Sequence, residues 1–190
     1  MSKKIFGYGS LINKTSLQKT APDVEEIFPC YTKGFIRNFN IKWNRRYCPK
    51  FQRYCSVLNL ETSNYDNWIG GVYFEVNNKD FEALKQREDA YWIYEINLYD
   101  MYGKFVDVWY TFSRRKHKEH NFIENSPIQI EYLEICLQGA LSFGQEFYEN
   151  FCNTTYIKGM LLSRYLKETD ISNFLSKDIN KYIKELDVWN

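Results

Sequence analysis

The chain has 190 residues, 44% hydrophobic, 18% aromatic and 26% charged, with a formal net charge of +1. That composition excludes a disordered chain, and near-neutrality excludes recognition of nucleic acid or an anionic membrane through net charge alone. The length suits one domain over residues 1–190. With no bilayer-spanning apolar run and no secretory h-region after Met1-Ser2-Lys3-Lys4, the expectation is a cytoplasmic protein without a membrane partner.

In chain order, Ile5-Phe6 reads as the end of a first strand, followed at once by Gly7-Tyr8-Gly9-Ser10-Leu11, an uncharged turn whose backbone can approach a ligand closely. It is not a nucleotide loop. The dinucleotide fingerprint needs a third glycine where Ile12 stands, and the phosphate loop needs a Gly-Lys-Ser/Thr that is absent. Residues 26–28, 34–41, 56–60, 71–76, 91–99 and 105–112 are rich in β-branched and aromatic residues and read as strands, with 100–104 as the loop of a final hairpin. One helix over 80–89, capped by Asn77 or Asn78, interrupts them. After Pro127 the period changes: Ile130, Leu133, Leu137, Ala140 and Leu141 recur at helical spacing, and helices continue to the C-terminus from about residue 128. The class is α+β, a small curved or barrel-like sheet with packed helices.

Within the interrupting helix, Phe81 and Leu84 mark the apolar face, and the next position on it is Glu88. Arg87 and Asp89 fall to either side. A buried carboxyl has a raised pKa and can exchange protons near neutrality as a general acid/base. The alternatives are that the helix frays before Glu88, or that Glu88 pairs with an arginine such as Arg37.

Other constellations read as structural. Residues 42–53 carry five positive charges and no acid, interleaved with Trp43, Tyr47 and Phe51; this could grip single-stranded nucleic acid but reads as a solvated loop bordering the pocket. Residues 114–120 hold His117 and His120, short of the third ligand that zinc needs, and read as a charged loop. Five cysteines without a C-x-x-C pair indicate buried free thiols rather than a disulfide framework or a metal site.

Four segments together carry a family resemblance. "FGYGSL" (6–11), "GFIRNF" (34–39), "REDAY" (87–91) and "SPIQIEYLEICLQGA" (126–140) occur in the order found in the γ-glutamyl cyclotransferase superfamily, which the chain resembles over roughly residues 5–152. The resemblance implies a cofactor-free, metal-free enzyme that closes the glutamyl group of a γ-glutamyl amide into 5-oxoproline. Glu88 would be the general acid/base, residues Phe6, Gly7, Tyr8, Gly9, Ser10 and Leu11 the glutamyl-binding turn, and Tyr91 and Tyr132 hydroxyl donors to the substrate. The partner expected is a small molecule, with no nucleic acid. The opening segment is similar to the glutathione-specific ChaC-type branch, yet Asn13 stands where that branch has Trp; residues 132–144 are nearer the general branch. The leaving group stays open between an amino acid, an amine and Cys-Gly. The other readings are a non-catalytic binding domain of the same fold and a nucleic-acid module using residues 42–53.

Overall fold

The computed structural model describes residues 2–63, 66–89, 91–114 and 122–188. Along the chain these form β1 (Lys3–Gly7), α1 (Lys14–Gln18), β2 (Phe28–Lys33), β3 (Phe35–Cys48), β4 (Arg53–Thr62), β5 (Trp68–Val76), α2 (Asn78–Arg87), β6 (Trp92–Tyr99), β7 (Phe105–Ser113), α3 (Pro127–Leu141), α4 (Gln145–Asn153), β8 (Thr155–Ile157), β9 (Met160–Leu161), α5 (Leu162–Glu168) and α6 (Lys177–Glu185). Single 3-10 turns lie at Ser10–Ile12, Pro49–Phe51 and Asp170–Phe174.

Five strands close into a barrel in the order β1-β5-β2-β6-β7, the seam being a parallel pairing of β1 with β7 beside its antiparallel pairing with β5. Val72, Phe74 and Val76 alternate inward along β5 while Glu75 faces out, the period that a half-buried strand requires. A second sheet, β4-β3-β8-β9, is built on the long β3/β4 hairpin. One apolar cluster runs from Ile5 and Phe6 of β1 to Ile183 of α6, and all five cysteines are buried and unbridged. The α+β, barrel-like class expected from the sequence is the one observed.

Local expectations hold where local chemistry decides. Asn77 accepts from Asp80 N–H at 2.8 Å and caps α2, and Ser126 caps α3 with Pro127 in its first turn. The 100–104 loop is closed by Gly103 N–H to Asp100 O at 3.0 Å, with Gly103 at φ +78°. Four readings are corrected. Residues 42–53 are not a loop: they form the outer end of β3, a 3-10 turn and the start of β4, because the pairs Lys42–Ser56 and Tyr47–Tyr54 on either side carry the strand through Asn44, Arg45 and Arg46 despite their weak strand preference. The strand read at 26–28 begins only at Phe28 and continues to Lys33, paired along β5 despite Pro29. The helical C-terminal part contains β8 and β9, too short for a period to show. Helix α2 stops at Arg87 and leaves Glu88 as its cap. Residues 115–120 of the charged segment, with His117 and His120, and Ala90 lie outside the described residues. Among the described residues no helix is long and apolar enough to cross a membrane.

Candidate active site

The turn after β1 is held from two sides. Its own hydrogen bonds run from Ile12 N–H to Gly9 O at 2.9 Å and from Asn13 N–H to Ser10 O at 3.3 Å, so the N–H groups that open it, those of Ser10 and Leu11, are outside the turn's own bonding. Helix α3 docks on it through Gly139, where a Cβ would fall 2.7 Å from Asn13 N; only glycine allows that approach. Asn13 in turn caps α1 by accepting from Ser16 N–H at 3.0 Å and donates to Ile135 O of α3 at 3.3 Å. This docking carries Tyr132 to the turn, where its hydroxyl would lie 3.3 Å from a Cβ added at Gly9.

Glu88 sits at the end of α2. Its N–H still bonds Leu84 O at 2.8 Å, which keeps it one turn beyond Leu84 on the buried face even though its φ −96°, ψ 31° leave the helix. The residue is 9% exposed, and burial pushes its carboxyl from 4.5 to about 7 against the opposing pull of the Arg87 guanidinium, whose Nε lies 3.2 Å from Oε1. Desolvation prevails over the adjacent ion pair. The arginine beside Glu88 is thus Arg87, not Arg37. Nor does Arg87 fall away to the side: the backbone leaves the helical track at Glu88, so neighbouring side chains that a continuous helix would splay can meet. Its guanidinium also donates to Ser10 Oγ (3.0 Å), Ser16 O (2.8 Å), Ser16 Oγ (3.1 Å) and Thr20 Oγ1 (3.2 Å), tying turn, α1 and carboxyl into one network.

Of the residues singled out from sequence, Phe6, Tyr8, Gly9, Ser10, Leu11, Glu88, Tyr91 and Tyr132 line one small chamber of about 20 Å³. Gly7 does not: it is the last residue of β1, paired with Val72, with room for no Cβ because Leu11 Cβ would be 2.8 Å away. The three tyrosines are buried and their hydroxyl pKa values lie well above the usual value, chiefly through desolvation. Each hydroxyl already has a backbone partner: Tyr8 donates to Phe112 O (2.6 Å), Tyr91 donates to Leu58 O (2.6 Å), and Tyr132 accepts from Leu58 N–H (3.3 Å). A turn closed by Tyr91 N–H to Glu88 O at 2.9 Å brings Tyr91 back beside the carboxyl.

Ser10, Glu88, Tyr91 and Tyr132 also face a larger, open cleft of about 420 Å³. Its walls include residues that sequence reasoning did not assign to the site: Lys19, Trp43, Arg45, Arg46 and Arg87. For Trp43, Arg45 and Arg46 the signal was the basic, aromatic run 42–53, whose periodicity says nothing of which side chains turn inward; Arg87 opened the "REDAY" segment, and nothing in the sequence marked Lys19. The assembled site offers a carboxyl that titrates near neutrality, backbone donors at a turn and a cationic rim. Among the described residues no group of three or more His, Cys, Asp or Glu side chains could hold a metal ion.

No family model matches the chain, and no curated protein matches its sequence significantly. Solved structures do match. A γ-glutamyl cyclotransferase superposes with a TM-score of 0.65 at 16% identity, covering 97% of this chain and 99% of its own. An uncharacterized human protein gives 0.64 at 17%, covering 96% and 98%, and a yeast γ-glutamyl cyclotransferase specific to glutathione gives 0.50 at 13%, covering 97% and 96%. At such identities the likeness is one of fold, and the chain has the γ-glutamyl cyclotransferase-like fold.

Proposed function

We propose that the protein is a γ-glutamyl cyclotransferase, converting a γ-glutamyl amide into 5-oxoproline and a free amine. The reading rests on Glu88: a buried carboxyl with a pKa of about 7, facing the same chamber as the Ser10 turn. The substrate supplies its own nucleophile. Its α-amine attacks the δ-carbonyl, the five-membered ring closes, and the C–N bond to the departing amine breaks. Two of the three protons of the α-ammonium finish on that amine, and the Glu88 carboxyl relays each in turn, a role for which a pKa near 7 suits it in both directions. The N–H groups at the Ser10–Leu11 end of the turn bind the glutamyl carboxylate or the developing oxyanion. Tyr91 and Tyr132 shape the chamber with hydroxyls anchored on Leu58, and the fold holds the chain bent for attack, the proximity contribution.

The test is incubation of the purified protein with γ-glutamyl amino acids, γ-glutamyl amines and glutathione while 5-oxoproline is measured. Release of 5-oxoproline, undiminished by exhaustive chelation, is expected because the ring closure needs only proton transfer and positioning. Intact recovery of every compound would leave a binding domain of the same fold.

A further inference from the structure

The outer end of β3 departs from regular pairing above the cleft. Lys42 pairs with Ser56 and Tyr47 with Tyr54, so residues 43–46 stand opposite Cys55 alone. Such a bulge breaks the alternation of a strand and re-aims its side chains. Here it lets the adjacent Arg45 and Arg46 both line the cleft, together with Trp43. Arg45 is anchored by donating to Gln86 O at 2.7 Å and pairs with Asp89 at 3.3 Å, which fixes the bulge to the end of α2 next to Glu88. Arg46 lies with its guanidinium 4.9 Å from the centre of the Tyr132 ring and is three-quarters buried. Its polar partners are distant: Ile128 O at 3.5 Å and the exposed Glu131 carboxylate at 4.0 Å. Across the cleft Lys19 is exposed and has no ion-pair partner among the described residues.

These four cations, counting Arg87, stand against three carboxylates: Glu88 is against Arg87, Asp89 is paired with Arg45, and the exposed Glu131 lies 4.0 Å from Arg46. The rim therefore keeps an uncompensated positive charge outside the reacting centre. Resting on the cyclotransferase reading, we propose that the Arg45–Arg46 bulge is the specificity element of the site and binds a carboxylate carried by the departing amine, so that γ-glutamyl amino acids or peptides are the substrates and γ-glutamyl amines are not. Arg46 is the principal contact. Its guanidinium is oriented by the Tyr132 ring while its N–H donors are weakly engaged, the state in which a planar fork is ready for bidentate pairing with a carboxylate.

The test uses γ-glutamylalanine and γ-glutamylethylamide, which differ only by the carboxylate. The intact protein is expected to prefer the first by about tenfold to a hundredfold in kcat/KM, carried mainly by KM, as for one charge-assisted contact. Arg45→Gln/Arg46→Gln should collapse that ratio to within about twofold. Any effect of the lost charges on Glu88 is common to both compounds and cancels in the ratio. In the unmodified protein the ratio should also shrink as salt is raised, which tests the proposal without a variant. Equal kcat/KM values, or a preference that survives in the double variant, would overturn the clamp while leaving ring closure intact. Calorimetric binding of both compounds to Glu88→Gln separates the two readings. If neither compound yields 5-oxoproline but γ-glutamylalanine still binds tighter, ring closure fails and the clamp stands; if the two bind alike, the clamp fails.

Discussion

Two buried ionisable groups, Arg37 and Glu88, differ in every respect that decides a role. Arg37, in β3, is fully buried, and its guanidinium is spread over Thr154 Oγ1 at 2.6 Å, Gly70 O, Phe151 O and Thr155 Oγ1, with the Phe151 ring 4.5 Å away. It clamps β3, β5 and α4, lines neither the chamber nor the cleft of the candidate site, and desolvation lowers its pKa to about 9, so it stays charged at neutral pH. Glu88 has one ion pair and a chamber beside it, and desolvation raises its pKa into the physiological range. Burial alone does not mark a functional group. Burial with spare hydrogen-bonding capacity at a cavity does.

The comparison can be broken by exchanging the effects. Glu88→Gln is expected to fold normally and to lower turnover of 5-oxoproline by about 10²–10⁴, about 3–5 kcal/mol of barrier, the worth of a positioned general acid/base. Steady-state kinetics on a variant shown to unfold cooperatively from a folded state checks this, and near-normal turnover would remove Glu88 from the mechanism. Arg37→Ala should do the reverse, costing about 3–4 kcal/mol of stability through a cavity and an orphaned Gly70 carbonyl, with kcat of the folded fraction little changed. Denaturant unfolding together with activity at low temperature separates the two effects.

A third prediction concerns pH. The Glu88 carboxyl titrates at about 7 folded and near 4.5 unfolded, so the stability tied to its protonated form is present below pH 4.5 and lost as pH rises through 7. Relative to wild type, Glu88→Gln should therefore gain stability between pH 5 and 8, by about 3 kcal/mol at most. Parallel unfolding curves at the two pH values would contradict the raised pKa. The smallest effects are expected at Arg87 and Ser10. Removing the cation that opposes the rise, as in Arg87→Gln, should move the Glu88 limb of the pH–kcat/KM profile above 7 and reduce activity at pH 7 about tenfold, while Ser10→Ala, which loses one hydrogen bond from Arg87, should cost less.

Much of the barrel and half of the candidate site could be read from local pattern. Period-2 segments marked β5, β6 and β7, and Asn77 marked the start of α2. The spacing of Phe81, Leu84 and Glu88 put a carboxyl on the buried face. Fraying at Arg87 did not undo this, because the Glu88 N–H to Leu84 O bond preserves the i, i+4 relation. The charge run 42–53 was visible too, but its direction was not: which of two consecutive side chains faces a cleft depends on register, and the register shifts in that run.

By itself the sequence determined the features that depend on a residue and its near neighbours: the glycine-bearing turn, the capped helix ending in an apolar-face carboxyl, the Asp100–Lys104 hairpin loop and the α+β class. Tertiary structure alone decided the rest. Closure of β1 onto β7, the approach of Gly139 to Asn13, the engagement of Arg37 by Gly70 and Phe151 that leaves Arg87 as the arginine beside Glu88, and the bulge that turns Arg45 and Arg46 to the cleft all join segments distant in the chain or depend on strand register. A carboxyl acquires a pKa near 7 only when those segments exclude water from it. The residue type and its helical face are local properties, whereas its desolvation belongs to the assembled fold.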